Sequence, residues 1–542
     1  MSSACCDIDH DAIARLCVET YQSRLPSKGA KPTTRSNGLL EWTILAGFVI
    51  SYPSPQAASG TGDATKYAVI SLATGLKCLP YSQLGSSGDV LHDTHAEVLA
   101  RRGARKWLLS RLVDEIERDK NPAENSDQQR VQLFTAAKSS GRWALRPEVG
   151  VHLYVSTLPC GSASNRLLEF QRAAQDLTRS IETANGQTVS PLHLLQSQLS
   201  SCSSAQRATT GGVRRGRAAT ETRLGLRTKP GRPDSPPSIS MSCSDKLALW
   251  SSVGIQGSLL SGLIEPVHLS GLVIGDEALD DIFPADHEQS RAQLAEILRD
   301  ECSESINRLR QPRKPVDIVF TSISFPDSRE SRTRLARQQA EQHDREFRDP
   351  VSAAGSVLFI AATSITRAED TARFEQPTIE HLVAGTRLGA PTKRKMPSDA
   401  LKPAARSGVC KLDWWRYFSS IVPRLPLLSA DLDSVRTIST YFDAKRADAA
   451  KDYRNAKAAI LGEDSDEMAR LRIHTFLQDR NNSIKALNGQ ASQDTQDAGE
   501  GDGIRAVSLG DTRTRDSRPP FQDWLVTPSS HERFNLDGRA AT

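Results

Sequence analysis

Strand-like and helix-like stretches alternate along the first half of this chain, and that alternation constrains the fold more than any other feature. Glu41–Ser51 and Tyr67–Leu72 are apolar and β-rich, with Pro53, Pro55 and small residues between them. From Thr94 onward, Val98, Ala104, Leu108 and Leu112 recur at helical spacing, with Thr94 as a candidate N-cap. Val151–Thr157 then reads as a buried strand ending at Pro159-Cys160-Gly161, followed by a helical pattern from Asn165 to Thr178. Strands alternating with helices predict an α/β layer. Later segments continue it: a helix from Ser244 to Leu260, strands at Gly271–Ile274, Asp317–Ile323 and Ser356–Ala362, and helices within 412–420 and 434–478.

A single core stops growing near about 250–300 residues, so 542 residues mean two domains or one domain with long insertions. The apolar share of 38% is low for a compact domain. Stretches rich in Ser, Thr, Gln, Arg, Gly or Asp at 119–147, 186–226, 326–350, 384–408 and 485–518 read as disordered surface insertions. No internal repeat and no second periodic block stand apart, so a single domain over 1–542, with an ordered core of about 8–540, is the expectation.

The net charge of +4 excludes a polycation and an acidic solvating protein, so nucleic-acid contact would have to come from local patches. Met1 to Asp11 carries three Asp and no Lys or Arg, the reverse of a secretory signal. The longest apolar run, Leu39 to Ile50, is interrupted by Glu41 and falls short of the roughly 20 residues that span a bilayer. Nine scattered cysteines do not resemble a disulfide framework. The expectation is an intracellular protein, nuclear or cytoplasmic, with no membrane contact and no evident obligatory protein partner.

Three short motifs carry the chemistry. His95-Ala96-Glu97 opens a helix, Pro159-Cys160 lies between a strand and a helix, and Cys243 opens another helix. One imidazole and two thiolates suit Zn²⁺, and three protein ligands leave the fourth tetrahedral position for water. Glu97 could take a proton from that water without binding the metal. Each piece alone is weak, because an H-x-E on a helix is more often solvated surface and a buried cysteine more often a small hydrophobe. Their combination follows the zinc-deaminase signature of H-x-E then P-C-x-x-C, except that no cysteine stands at the x-x-C position after Cys160. Cys243 is the candidate for the missing thiolate. Donors at 95, 160 and 243 require one structural unit, which favours one domain with insertions.

The strings DTHAEVLARRG (93–103), STLPCG (156–161), RTKPGRPD (227–234) and SMSCSDKLALWSSVGIQGSLLS (240–261) resemble the adenosine-to-inosine RNA deaminase family, and most of all its tRNA-specific branch. That resemblance implies a cytidine-deaminase-like three-layer core, a mixed sheet with helices on both faces, elaborated by C-terminal helices. It implies Zn²⁺ on His95, Cys160 and Cys243, Glu97 as proton shuttle, and Asp93 behind the metal ligands. The reaction it implies is hydrolytic conversion of adenosine to inosine, at the position 3′ of the anticodon in tRNA-Ala. Ser162 departs from the family, which commonly has Asp there. Two alternatives stay open: an editing deaminase of double-stranded RNA, disfavoured because no binding domain precedes the strand at 41–51, and a catalytically silent RNA-binding scaffold with structural zinc, disfavoured by the intact Glu97.

Related RNA deaminases bury inositol hexakisphosphate in a basic cavity, and the resemblance implies Arg101, Arg102, Lys246, Ser258, Lys411, Tyr453, Lys457 and Trp524 as its contacts here, with Asp93 and Lys246 linking it to the metal. From spacing alone, Tyr441, Lys445, Tyr453 and Lys457 look like one solvated face of a late helix. His92, Leu249 and Thr527 depart from the family's contact residues. For RNA, eight Lys or Arg against one acid between Arg207 and Arg232, and a second patch of Arg387, Lys393, Arg394, Lys395, Lys402 and Arg406, are candidates for backbone contact. Lys229 and Arg232, in the K-P-G-R element, are the leading choices.

Overall fold

The structure is a computed structural model. It describes residues 8–54, 65–120, 131–183, 212–216, 224–229, 235–283, 287–309, 315–363, 376–426, 437–490 and 519–540, apart from positions 138, 395, 397, 398 and 464. An eight-stranded mixed sheet forms its centre, from β1 (Leu45–Pro53), β2 (Thr65–Thr74), β3 (Gly150–Val155), β4 (Gly271–Gly275), β5 (Asp317–Thr321), β6 (Gly355–Ile360), β7 (Thr378–Val383) and β8 (Thr386–Arg387). The spatial order is β5-β4-β3-β1-β2-β6-β7-β8. β3, β4 and β5 run parallel and the other pairings are antiparallel.

The central strand β1 is buried over eight of its nine residues, as a strand covered on both faces must be. Ala46, Phe48, Ile50 and Tyr52 join the larger core with α2 (Ala96–Lys120). Leu45 and Val49 face the opposite cluster, where α1 (His10–Arg24) contributes Ile13, Ala14, Cys17 and Tyr21. Helices therefore cover both faces, as expected. Each fully buried Leu, Ile or Phe contributes about 1.5–3 kcal/mol.

The large core also holds α3 (Asn165–Thr183), α4 (Cys243–Val253), α5 (Glu288–Asn307) and the C-terminal helices α7 (Lys411–Ile421), α8 (Lys451–Leu461) and α9 (Asp466–Gln490). Among the described residues no helix is long and apolar enough to cross a membrane.

Several expectations are corrected. Thr94 does not cap α2: its hydroxyl donates to the Lys77 carbonyl, and the helix begins at Ala96. The single helix expected over Ser244–Leu260 breaks at Gly254, whose φ of +85° is left-handed, and resumes as Gly257–Leu260. The late helical region is broken too, into Tyr441–Ala444, α8 and α9. Residues 326–350, expected as a disordered insertion, hold α6 (Arg329–Gln342), capped by Ser328 and anchored by Arg332 on Asp327. Within 119–147 a hairpin of Phe134–Ala137 and Arg142–Leu145 is tied down by Glu115, which accepts from the Leu133 and Phe134 amides. The described part of 384–408 is held by Arg394–Asp89, Arg387–Glu380 and Arg406–Asp413 pairs. In each case ion pairs and caps order a polar sequence that has little apolar periodicity. Most of 186–226 and all side chains of 485–518 lie outside the described residues.

Candidate active site

β3 delivers Cys160 at its carboxyl end, α2 begins beside it with His95 and Glu97, and α4 starts with Cys243. The two cysteine segments meet through backbone: the Cys243 amide donates to Cys160 Sγ at 3.3 Å, and the Ser244 amide and hydroxyl both donate to the Cys160 carbonyl. Gly161 permits this approach. Its φ is +113°, and a Cβ there would lie 2.3 Å from Ser242 Oγ and 2.5 Å from Ser244 Oγ.

Asp93 organises the imidazole. Its Oδ1 stands 3.0 Å from His95 Nδ1 and accepts from the His95 amide, which leaves Nε2 as the nitrogen a metal could use. Asp93 Oδ2 accepts from Lys229 at 2.9 Å, from Ser240 at 2.6 Å and from Lys246. Burial alone would raise the Asp93 pKa, but the two lysines hold it well below the usual carboxylate range. The Lys229 ammonium also donates to Cys243 Sγ at 3.1 Å. A hydrogen bond from Cys243 is the largest influence on Cys160, and with Lys229 and His95 it overcomes burial to hold Cys160 as a thiolate. Glu97 is 3% exposed. Burial, then the nearby Cys160 charge, pushes its carboxyl above the ordinary value, against Lys229 and His95.

Among the described residues no group of three or more His, Cys, Asp or Glu side chains is drawn together tightly enough to read as a metal cage on spacing alone. The contacts are pairwise, His95 with Cys160 and Cys160 with Cys243. The donor chemistry nevertheless fits a borderline-soft cation: a neutral-capable imidazole fixed by a carboxylate, and a thiolate beside a second thiol.

Lys229 is the clearest correction. Expected as a surface contact for RNA, it is buried between Asp93 and Cys243, 2% exposed. The strand Arg227–Thr228 explains this: Lys229 N donates to Ser240 O and Ser242 N to Arg227 O, so the segment zips onto the approach to Cys243. A charged tripeptide beside Pro and Gly gave no sign of burial. Arg232 lies outside the described residues. Three of the six cations of the second patch, Arg387, Arg394 and Arg406, are held in ion pairs. Ser162 hydrogen-bonds Ser305 and accepts from Arg308, whose guanidinium pairs instead with Asp245.

Behind Asp93 and Lys246 lies a cavity of about 310 Å³. Arg101, Arg102, Arg105, Lys246, Lys411, Lys445 and Lys457 line it, against only Asp89, Asp93 and Glu532. Tyr453 and Trp524 reach it, as do His92, Leu249 and Thr527. Ser258 does not: it lines an adjoining cavity of about 450 Å³ and donates to the Lys445 carbonyl. Burial pushes Arg101 down to about 9 and Lys457 down to about 8, the latter helped by Lys445. Arg101 Nε is buried with no hydrogen-bond partner among the described residues. Glu532 pairs with Lys411 and Lys445. A lining in which seven cations face three acids, with one guanidinium nitrogen buried without a partner, fits a polyanion. Arg105, one turn beyond Arg101 on α2, was not singled out in the sequence, and Lys445, read there as part of a solvated helix face, lines the cavity instead.

A mixed sheet with helices on both faces, where Cys160 after β3 meets His95 and the buried Glu97 of α2 and Cys243 of α4, has the donor types of the zinc-dependent nucleobase deaminases. A family model described as "Adenosine-deaminase (editase) domain" matches residues 71–337. A "tRNA-specific adenosine deaminase 1" of Schizosaccharomyces pombe is 33% identical over 252 residues, 46% of this chain and 53% of that protein. The protein of the same name from Mus musculus is 26% identical over 537 residues, 83% of this chain and 95% of its own. A "Double-stranded RNA-specific adenosine deaminase" of Rattus norvegicus is 30% identical over 38% of this chain but 16% of that protein. Residues 71–337 thus match the adenosine-deaminase (editase) domain, and the chain is similar to proteins named tRNA-specific adenosine deaminase 1.

Proposed function

We propose that this enzyme converts adenosine to inosine in tRNA by hydrolysis, at the position 3′ of the anticodon of tRNA-Ala. The carrying observation is Glu97, a buried carboxyl raised in pKa and set beside His95 and Cys160. His95, Cys160 and Cys243 would hold Zn²⁺, which when bound makes a water acidic enough to act as nucleophile near neutral pH. Glu97 takes a proton from the attacking water, delivers it to N1 of the flipped adenine and then assists departure of ammonia. Asp93 orients His95, and Lys229 keeps both Asp93 and the thiolate side charged.

The tRNA assignment is supported by the names of the relatives that match most of their own length. The tRNA-Ala position extends the motif resemblance. Inositol hexakisphosphate would occupy the basic cavity, held by Arg101, Arg102, Lys246, Lys411, Tyr453 and Lys457 with Trp524 at its edge.

Incubating the purified protein with tRNA transcripts and with long duplex RNA, then sequencing for A-to-G conversion, tests the substrate. Conversion confined to the anticodon loop of tRNA-Ala is expected. Editing of the duplex with tRNA untouched would replace this reading by the double-stranded RNA one.

A further inference from the structure

On the face of the sheet opposite α2, three neighbouring parallel strands place unlike residues in one row. His152 of β3 pairs in register with Gly271 of β4, and Gly271 with Asp317 of β5. Residues in one row of a parallel sheet project to the same face, and α1 covers this one. The first residue of that helix, His10, has its Nε2 3.7 Å from Asp317 Oδ2.

Donor atoms converge where the glycine has no side chain. From the point that a Gly271 Cβ would occupy, His152 Nδ1 is 3.3 Å and His10 Nε2 3.9 Å away, and that His10 nitrogen is the one 3.7 Å from the Asp317 carboxylate. We propose that His10, His152 and Asp317 form a second Zn²⁺ site, seated over Gly271.

A histidine that merely fills a core has both ring nitrogens satisfied. His152 does not: it is 2% exposed, its Nε2 is 2.9 Å from Ser51 Oγ, and its buried Nδ1 has no hydrogen-bond partner among the described residues. The ring is clamped, because a Cβ on Gly150 would lie 2.8 Å from Nε2. Burial, with the neighbouring His10, lowers its pKa to about 4, so the ring is in the neutral form that ligates metal. The other two donors are accessible, with His10 at 24% and Asp317 at 61% side-chain exposure. Zinc bonds to nitrogen and oxygen run about 2.0–2.2 Å, so the site closes on binding by rotation of the part-buried His10 and the exposed Asp317 side chains around a fixed imidazole. Two imidazoles and a carboxylate, with water in the fourth position, form a set that zinc accepts.

The helix start is anchored for this task. Asp9 caps it through the Ala12 amide, the Asp9 amide donates to Tyr67 Oη, and Asp11 accepts from Thr321 on β5. The site lies on the α1-covered face of the sheet, opposite α2, and does not depend on the role of His95, Cys160 and Cys243.

The test uses untagged full-length protein equilibrated with Zn²⁺, desalted and assayed for zinc per chain by mass spectrometry of the metal. Two equivalents are expected in the wild type and one in His10→Ala, Asp317→Ala and Gly271→Ala. The glycine variant keeps every donor residue and fills the seat with a methyl 3.3 Å from His152 Nδ1, a close contact that a shift of a few tenths of an ångström relieves; thermal melting checks that the fold is retained. With Co²⁺ substituted, the equivalent lost in these variants should lack a thiolate charge-transfer band. A wild type holding one equivalent that the variants retain overturns the proposal while leaving the active-site zinc standing. Two equivalents persisting in all three variants overturns it as well.

Discussion

Lys229 Nζ lies 2.9 Å from Asp93 Oδ2 and 3.1 Å from Cys243 Sγ, so one buried ammonium joins the carboxylate behind His95 to a thiol of the active site. Its pKa stands well above the ordinary lysine value, since Asp93 and Cys243 outweigh the cost of burial. Replacing it by Met strands Asp93 against Lys246 alone and removes the charge beside sulfur. Breaking a buried pair costs about 3–5 kcal/mol. Lys229→Met should lower stability by that order in urea titration and deplete bound zinc, yet leave the salt dependence of tRNA binding unchanged. A weakened salt dependence with normal stability would return Lys229 to the RNA surface.

Glu97 separates chemistry from architecture. Its carboxyl is buried beside His95 and Cys160 but is not part of the His–Cys–Cys donor set. Glu97→Gln keeps shape and loses the titrating proton, so turnover should fall by about 10²–10⁴-fold, the usual worth of a positioned acid–base group. Zinc content measured in parallel should match the wild type. Full activity in the variant would sink the proton-shuttle role.

Gly161 is a geometric hinge of the donor set. With a φ of +113° and Ser242 Oγ 2.3 Å from where a Cβ would sit, Gly161→Ala must push the Cys160 turn away from Cys243. Strain of this kind costs about 1–3 kcal/mol. The expected result is a lower melting temperature together with loss of metal, read by calorimetry and elemental analysis. Retention of wild-type metal content would show that the two segments tolerate separation.

What was legible in the sequence follows its physics. Strands β1, β3 and β4 and the opening of α2 were readable because burial on one or both faces writes a period into the chain. The chemistry of His95, Glu97, Cys160 and Cys243 was readable because donor type and position at an element's end are local. Lys229 was not: its burial depends on the strand Arg227–Thr228 docking on Ser240–Ser242, a pairing too short to leave a pattern. Nor was α6, whose polar sequence is ordered by the Ser328 cap and the Arg332–Asp327 pair rather than by an apolar stripe. His152 and Asp317 come to flank Gly271 only through the register of three strands.

Lys457 gives the basic cavity a pH signature. Burial, then Lys445, lowers its pKa from 10.5 to about 8 in the folded protein. Between about pH 8 and 10.5 the unfolded chain therefore binds more protons than the folded one, and stability rises with pH across that window. Below it the penalty for charging the buried amine is fully present; above 10.5 it is gone. A bound polyanion would pair the ammonium, restore its pKa and flatten the rise. Melting temperatures of anion-stripped protein should climb through this window relative to Lys457→Met, and adding inositol hexakisphosphate should both raise the wild-type melting temperature below about pH 8 and abolish the climb. A wild-type profile unaltered by the hexakisphosphate would mean that the cavity holds its cations without that ligand.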